Sequence, residues 1–144
     1  MIKIFFTSLF FCVFAFGAVL KVGDTLQTTQ FKNQFDKDVA ITKEAKKLIL
    51  VFSKEKGDVV KTYLEKNPNY LSTIKGFYFA DVSGAPSLVT KMFMKPKFQK
   101  YPFPMILLED EKYKEIFPNK EEYITIITLD NLKIINIEFK GNLP

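Results

Sequence analysis

The chain has 144 residues, 21 lysine-plus-arginine cations against 16 acids, a net charge of +5, and 47% hydrophobic residues that include 16 phenylalanines. Every cation is a lysine, histidine is absent, and Cys12 is the single cysteine. An imidazole base, a serine-histidine-acid triad, an internal disulfide and most zinc sites are therefore excluded. Without arginine or a clustered basic face, no nucleic-acid partner is expected.

Residues 1–17 carry an early cation, Lys3, an apolar run from Ile4 to Phe16, and small residues at Ala15 and Gly17. This is the build of a secretory signal peptide, and Ala15-Phe16-Gly17 suits cleavage before Ala18. The apolar run is shorter than the roughly 20 residues that span a bilayer. A lipid anchor at Cys12 is disfavoured by Phe10 and Phe11 before it. The expected organisation is a signal peptide over 1–17 and one domain over 18–144, periplasmic, free of thiols and without membrane contact after cleavage.

Alternation around Asp36-Lys37-Asp38, from Phe31 to Ile41, predicts a short edge hairpin. Leu48-Ile49-Leu50-Val51-Phe52 then reads as a strand buried on both faces, and Val60, Tyr63 and Leu64 fall at helical spacing. Between them Gly57 suits a tight turn and Asp58 a helix cap. In an α/β sheet this strand-to-helix turn is where ligands usually sit.

Asn67-Pro68-Asn69 ends that helix, and Phe77–Val82 predicts a second core strand. Ser87 to about Met94 predicts a helix with Leu88, Met92 and Phe93 or Lys91 on one buried face, ended or bent by Pro96, with room for a second short helical turn around Phe98. Tyr101-Pro102-Phe103-Pro104 must be extended and leads into a strand over Met105–Leu108. Tyr113–Phe117 fits either a helical turn or a short strand. Tyr123–Leu129 and Leu132–Phe139 form a hairpin about Asp130-Asn131. The sum is an α/β fold, a mixed sheet with helices on both faces.

In this order of parts, residues 21–139 resemble the thioredoxin fold, within it the branch of secreted thiol-disulfide oxidoreductases and peroxiredoxins. Val22-Gly23-Asp24 and Gln34-Phe35-Asp36-Lys37 are similar to the opening and hairpin turn of that branch. Phe79-Ala80-Asp81, Tyr101-Pro102-Phe103-Pro104-Met105 and the final hairpin match its later strands. Lys56-Gly57-Asp58-Val59 falls where the family carries Cys-Gly-Pro-Cys, so the resemblance implies that both thiols are lost. The cis-proline that faces the redox site falls at Ile124; a competing register makes it Pro104. The terminal helix of many members has no counterpart before Pro144. Phe79–Asp110 is also similar to short exported bacterial proteins of undefined role, some bearing flavin-dehydrogenase names, yet no Gly-x-Gly-x-x-Gly turn supports a flavin.

Other motifs have bland readings. Ser53-x-x-Lys56 and Ser72-x-x-Lys75 match a serine-lysine pairing that so many lysines produce by chance. Asp36 with Asp38, and Glu109-Asp110-Glu111, lack calcium-loop spacing and read as turns. Met92-Phe93-Met94 is either core or an adaptable partner surface.

The expected function is a non-catalytic protein- or peptide-binding module. Its candidate contacts are Ser53, Lys54, Lys56 and Asp58, with Tyr123 and Ile124 opposite, gripping an extended chain through main-chain hydrogen bonds. Thiol-disulfide catalysis is not expected, nor a catalytic residue, metal or resident cofactor. The alternative is an accessory or enzyme of an exported redox pathway that uses an externally supplied cofactor.

Overall fold

The structure is a computed structural model and describes residues 19–27 and 29–144. The expected signal peptide and Cys12 lie outside the described residues. The elements in chain order are β1 (Gln30–Lys32), β2 (Asp38–Ala40), β3 (Lys47–Val51), α1 (Lys54–Lys66), α2 (Tyr70–Thr73), β4 (Gly76–Asp81) and α3 (Ser87–Val89). A π-helical turn (Thr90–Met94), α4 (Lys95–Phe98), β5 (Ile106–Leu108), α5 (Lys112–Ile116), β6 (Ile124–Asp130) and β7 (Lys133–Lys140) follow.

β1 and β2 form the expected small hairpin, and the other five strands form one sheet in the order β5-β4-β3-β6-β7. β3 runs parallel to β4 and antiparallel to β6. Its residues Leu48, Ile49, Leu50 and Val51 are at most 2% exposed, as an unbroken apolar run requires. Ile49 and Val51 pack with Val60 and Leu64 of α1, Leu71 of α2, and Met94 and Phe98. Leu48 and Leu50 pack on the opposite face with Leu26, Phe31, Ile41 and Phe117. One face is thus roofed by helices and the other by the N-terminal hairpin with α5. Each of these side chains contributes about 1.5–3 kcal/mol on burial.

Several expectations are corrected. α1 starts earlier than Asp58: Ser53 is its N-cap, its hydroxyl accepting from the Lys56 amide at 3.2 Å. Gly57 and Asp58 are therefore helical, and no turn separates Phe52 from the helix beyond Ser53. Of the two readings of Pro96, an end or a bend, the first is excluded: the helical run from Ser87 continues into α4, the further turn around Phe98. Proline lacks the amide that an α-helix needs there, and the chain widens by one residue before it, so that the Lys95 amide bonds the Thr90 carbonyl.

The predicted inward face of that run is also reversed. Leu88, Met92 and Phe93 are 66%, 57% and 68% exposed, whereas Thr90 is buried and Met94 and Phe98 pack inward. The last hairpin turns at Asn131-Leu132, one residue later than predicted. Both have positive φ, 48° and 67°, the pattern of a two-residue type I′ turn. Of Tyr113–Phe117, Tyr113 to Ile116 resolve as helix, in α5, and Phe117 is its extended C-cap.

Gln34 joins the hairpin to the sheet. Its side chain is 1% exposed, donating to the Phe103 carbonyl at 2.9 Å and accepting from the Met105 amide at 3.0 Å. Pro102 and Pro104 leave this stretch short of backbone donors, and the Gln34 amide stands in for a strand partner. Gln99 donates to the Gln34 carbonyl at 3.1 Å, so the segment after α4 is fastened to the same residue. Nearby, Lys95 lies between Asp36 at 2.7 Å and Glu109 at 3.0 Å, its side chain only 12% exposed. The hydrogen bond to Asp36 leads in raising its pKa above 10.5, helped by Glu109 and opposed by burial.

Two outcomes follow from these ties. Gln34→Ala leaves two buried backbone groups unsatisfied and should cost about 2–3 kcal/mol in urea denaturation. A raised folded pKa means that the contribution of Lys95 is complete below pH 10.5 and lost as the pH climbs past its folded value. The Tm difference between the wild type and Lys95→Met should accordingly shrink in strongly alkaline buffer and stay constant between neutral pH and pH 9.

Candidate functional site

The strand order puts Ile124, rather than Pro104, beside the end of β3: Leu50 pairs with Thr125, whereas Pro104 precedes the edge strand β5. The preferred register of the final hairpin is the one the topology supports. Around the start of α1, however, the six candidate contacts divide into two groups.

Lys56, Tyr123 and Ile124 lie on the β6 side. Ile124 is fully buried, so it is unavailable to a partner. Lys56 Nζ donates to the Gly141 carbonyl at 3.1 Å, and its side chain is 11% exposed. Leu143 is buried against the same core cluster as Ile124 and Val60. Residues 141–144 thus close the space between Lys56 and Ile124 where an extended chain was expected to lie. Tyr123 is 40% exposed, with the Lys120 ammonium 5.3 Å from its ring centre.

Ser53, Lys54 and Asp58 face the other way, into a cleft of about 560 Å3 on the β4 side. Its walls come from the ends of β3 and β4 (Val51, Phe52, Ala80, Val82), from Gly84 and Ala85, and from Met94, Phe98, Tyr101 and Met105. An aromatic chain shapes the far wall: Phe98 to Tyr101 at 5.6 Å, Tyr101 to Phe103 at 5.3 Å, and Phe103 to Tyr78 at 6.0 Å. The Lys61 ammonium sits 4.9 Å from the Tyr101 ring centre, which fixes both side chains. Gln34 holds the backbone of Phe103 and Met105, so the hairpin on one face of the sheet sets the wall of a cleft on the other.

Tyr78 is the polar group in the cleft floor. It is 3% exposed and lines the cavity, and its hydroxyl has no hydrogen-bond partner among the described residues. Burial, more than the Tyr101 and Asp58 charges, pushes its pKa far up, so it is a neutral phenol able to donate a hydrogen bond. Above it, a Cβ on Gly57 would meet the Tyr78 hydroxyl and Val51 at 3.9 Å, ordinary van der Waals contact. Gly57 lies inside α1 and has no positive φ, so neither conformation nor crowding demands glycine. What glycine does here is leave the hydroxyl uncovered.

Asp81 is a further polar group of the cleft. One carboxylate oxygen accepts from the Ser83 amide at 2.8 Å, and the other is buried without a partner. Lys54, Lys97 and Lys114 of the lining have no acidic partner within 4.0 Å among the described residues, and with Lys61 they outnumber the lining carboxylates Asp58 and Asp81, which leaves the cleft net positive. Asp36 and Glu109, read in the sequence as turn acids, are engaged with Lys95. No group of three metal-ligating side chains is assembled among the described residues. The sequence alone assigns Tyr78 no role and Tyr101 only a place in an extended stretch, while Gly57 reads there as a turn residue rather than as a glycine inside a helix.

Because glycine is the weaker helix former, Gly57→Ala should raise unfolding stability by about 0.5–1 kcal/mol, read as a higher urea midpoint at unchanged slope. A loss of stability would show that the fold itself needs glycine there.

No family model matches the sequence, and no curated protein matches it. Solved structures do. A PrxQ mutant of Xylella fastidiosa superposes with a TM-score of 0.55 at 11% identity, covering 88% of this chain and 90% of its own. A thiol peroxidase from Chromobacterium violaceum gives 0.53 at 12% identity, covering 88% and 80%. The thioredoxin domain of a thiol-disulfide oxidoreductase from Bacteroides vulgatus gives 0.50 at 16% identity, covering 85% and 91%. What these proteins share with this chain is its architecture: a five-stranded mixed sheet flanked by helices, the thioredoxin-like fold.

Proposed function

We propose that this protein is an exported, periplasmic binding module that uses a thioredoxin-like scaffold to hold a protein or peptide without thiol exchange. Export rests on the leader pattern of residues 1–17; among the described residues no helix is long and apolar enough to cross a membrane. The absence of thiol exchange rests on the sequence, in which no cysteine follows Cys12. Ser53 caps the helix start where a thiolate would gain most from the helix dipole, and its hydroxyl is occupied in capping.

The single observation that supports a binding role best is the open cleft at the start of α1, with an unpartnered hydroxyl in its floor and a net positive lining. Clefts of this size with apolar walls and few polar groups are the usual form of a recognition site. The grip foreseen between Lys56 and Ile124 is relocated to the β4 side, because residues 141–144 already fill the first position.

A photo-reactive amino acid placed at Lys54 in the cells that make the protein tests this. The expected result is one or a few discrete protein adducts from Lys54 and none from the same probe at exposed Lys43, together with a purified protein that is colourless. A bound chromophore, or adducts equally abundant from both positions, would support the redox-accessory reading instead.

A further inference from the structure

The cleft also carries information about what it holds. A binding site for an extended chain must satisfy main-chain donors and acceptors while placing at least one side chain in an apolar pocket. Tyr78 offers a donor at the floor, Asp58 an exposed acceptor, and Met94 and Phe98 part of an apolar wall. The lining charges then select among chains.

Lys54, Lys97 and Lys114 are exposed, lack acidic partners among the described residues, and come from three different elements, α1, α4 and α5. All three line the cleft, each from a separate element. A small anion would need a single cation; three on separate elements match several negative charges carried along one chain.

Resting on the binding reading above, we propose that the cleft between α1 and α4 takes an acidic peptide segment with an apolar side chain at its centre. That side chain enters between Met94 and Phe98. A main-chain carbonyl accepts from the Tyr78 hydroxyl through the gap left by Gly57, and flanking carboxylates pair with Lys54, Lys97 and Lys114. The glycine is then explained: any larger residue at 57 would lie across the path to Tyr78.

The probe is an acetylated, amidated hexapeptide with Phe-Leu at its centre and two acidic residues on each side, titrated into 15N-labelled protein. Saturable shifts are expected at the amides of Gly57, Asp58 and Lys61, weaker as salt is raised. Tyr78→Phe should weaken the peptide roughly five- to tenfold, the effect of one hydrogen bond. Gly57→Leu should abolish the shifts in a protein that melts no lower than the wild type. A control with lysines in place of the acids, and one with Gly-Gly at the centre, should not bind.

Equal binding of the lysine peptide, or no saturable shift at Gly57 and Asp58, would overturn the proposal. So would decanoate reproducing the same shifts at lower concentration, which would make the site one for small amphipathic anions. If Lys54 cross-links protein in the cell while the acidic peptide leaves the cleft unperturbed, the ligand class is wrong and the binding role stands. If both fail, the binding role falls with it.

Discussion

Everything in this fold is arranged around a strand that has no polar side. β3 presents Leu48 and Leu50 to one face of the sheet and Ile49 and Val51 to the other, and all four are at most 2% exposed. Such a strand is stable only in the middle of a sheet with cover on both faces. The N-terminal hairpin supplies one cover and α1 the other. Because α1 follows β3 after only Phe52 and Ser53, its N-terminus is fixed at the carboxyl end of the central strand, and the cleft is fixed with it.

The second constraint is polar. The segment expected to be extended instead bends over residues 101–103, and its two prolines leave it without the donors to complete a backbone ladder. Gln34 resolves this with one buried amide that bonds Phe103 and Met105, while Gln99 ties α4's exit to the same place. Tyr101 then stands at a fixed position in the cleft wall, backed by the buried Phe103, and Tyr78 packs edge-on to Phe103. A contact on the hairpin side therefore has a consequence on the ligand side.

Much of the architecture was legible because its signals are local. Apolar runs marked β3 and β4, two β-branched runs about a turn pair marked β6 and β7, and the resemblance supplied the topology that joins them. The start of α1 was misread because Gly57 looks like a turn residue, although Ser53 directly after the strand is itself a good capping residue. The run from Ser87 to Phe98 is apolar on both faces, so spacing alone could not say whether Thr90, Met94 and Phe98 or Leu88, Met92 and Phe93 would turn inward. Gln34 was invisible for a different reason: its partners are 69 and 71 residues away. Of the expected contacts, Ser53, Lys54 and Asp58 line the cleft, while Lys56 and Ile124 are taken up by residues 141–144 and the core. A helix start has two sides, and only the three-dimensional packing decides which is open.

The most direct measurement is amide hydrogen exchange on the protein alone and in its cross-linked complex. A cleft on the β4 side predicts that the partner slows exchange across 53–61, 78–85 and 94–101 and leaves 120–124 and 141–143 as they were. Protection centred on 120–124 and 141–143, or confined to the exposed face at 88–93, would contradict it.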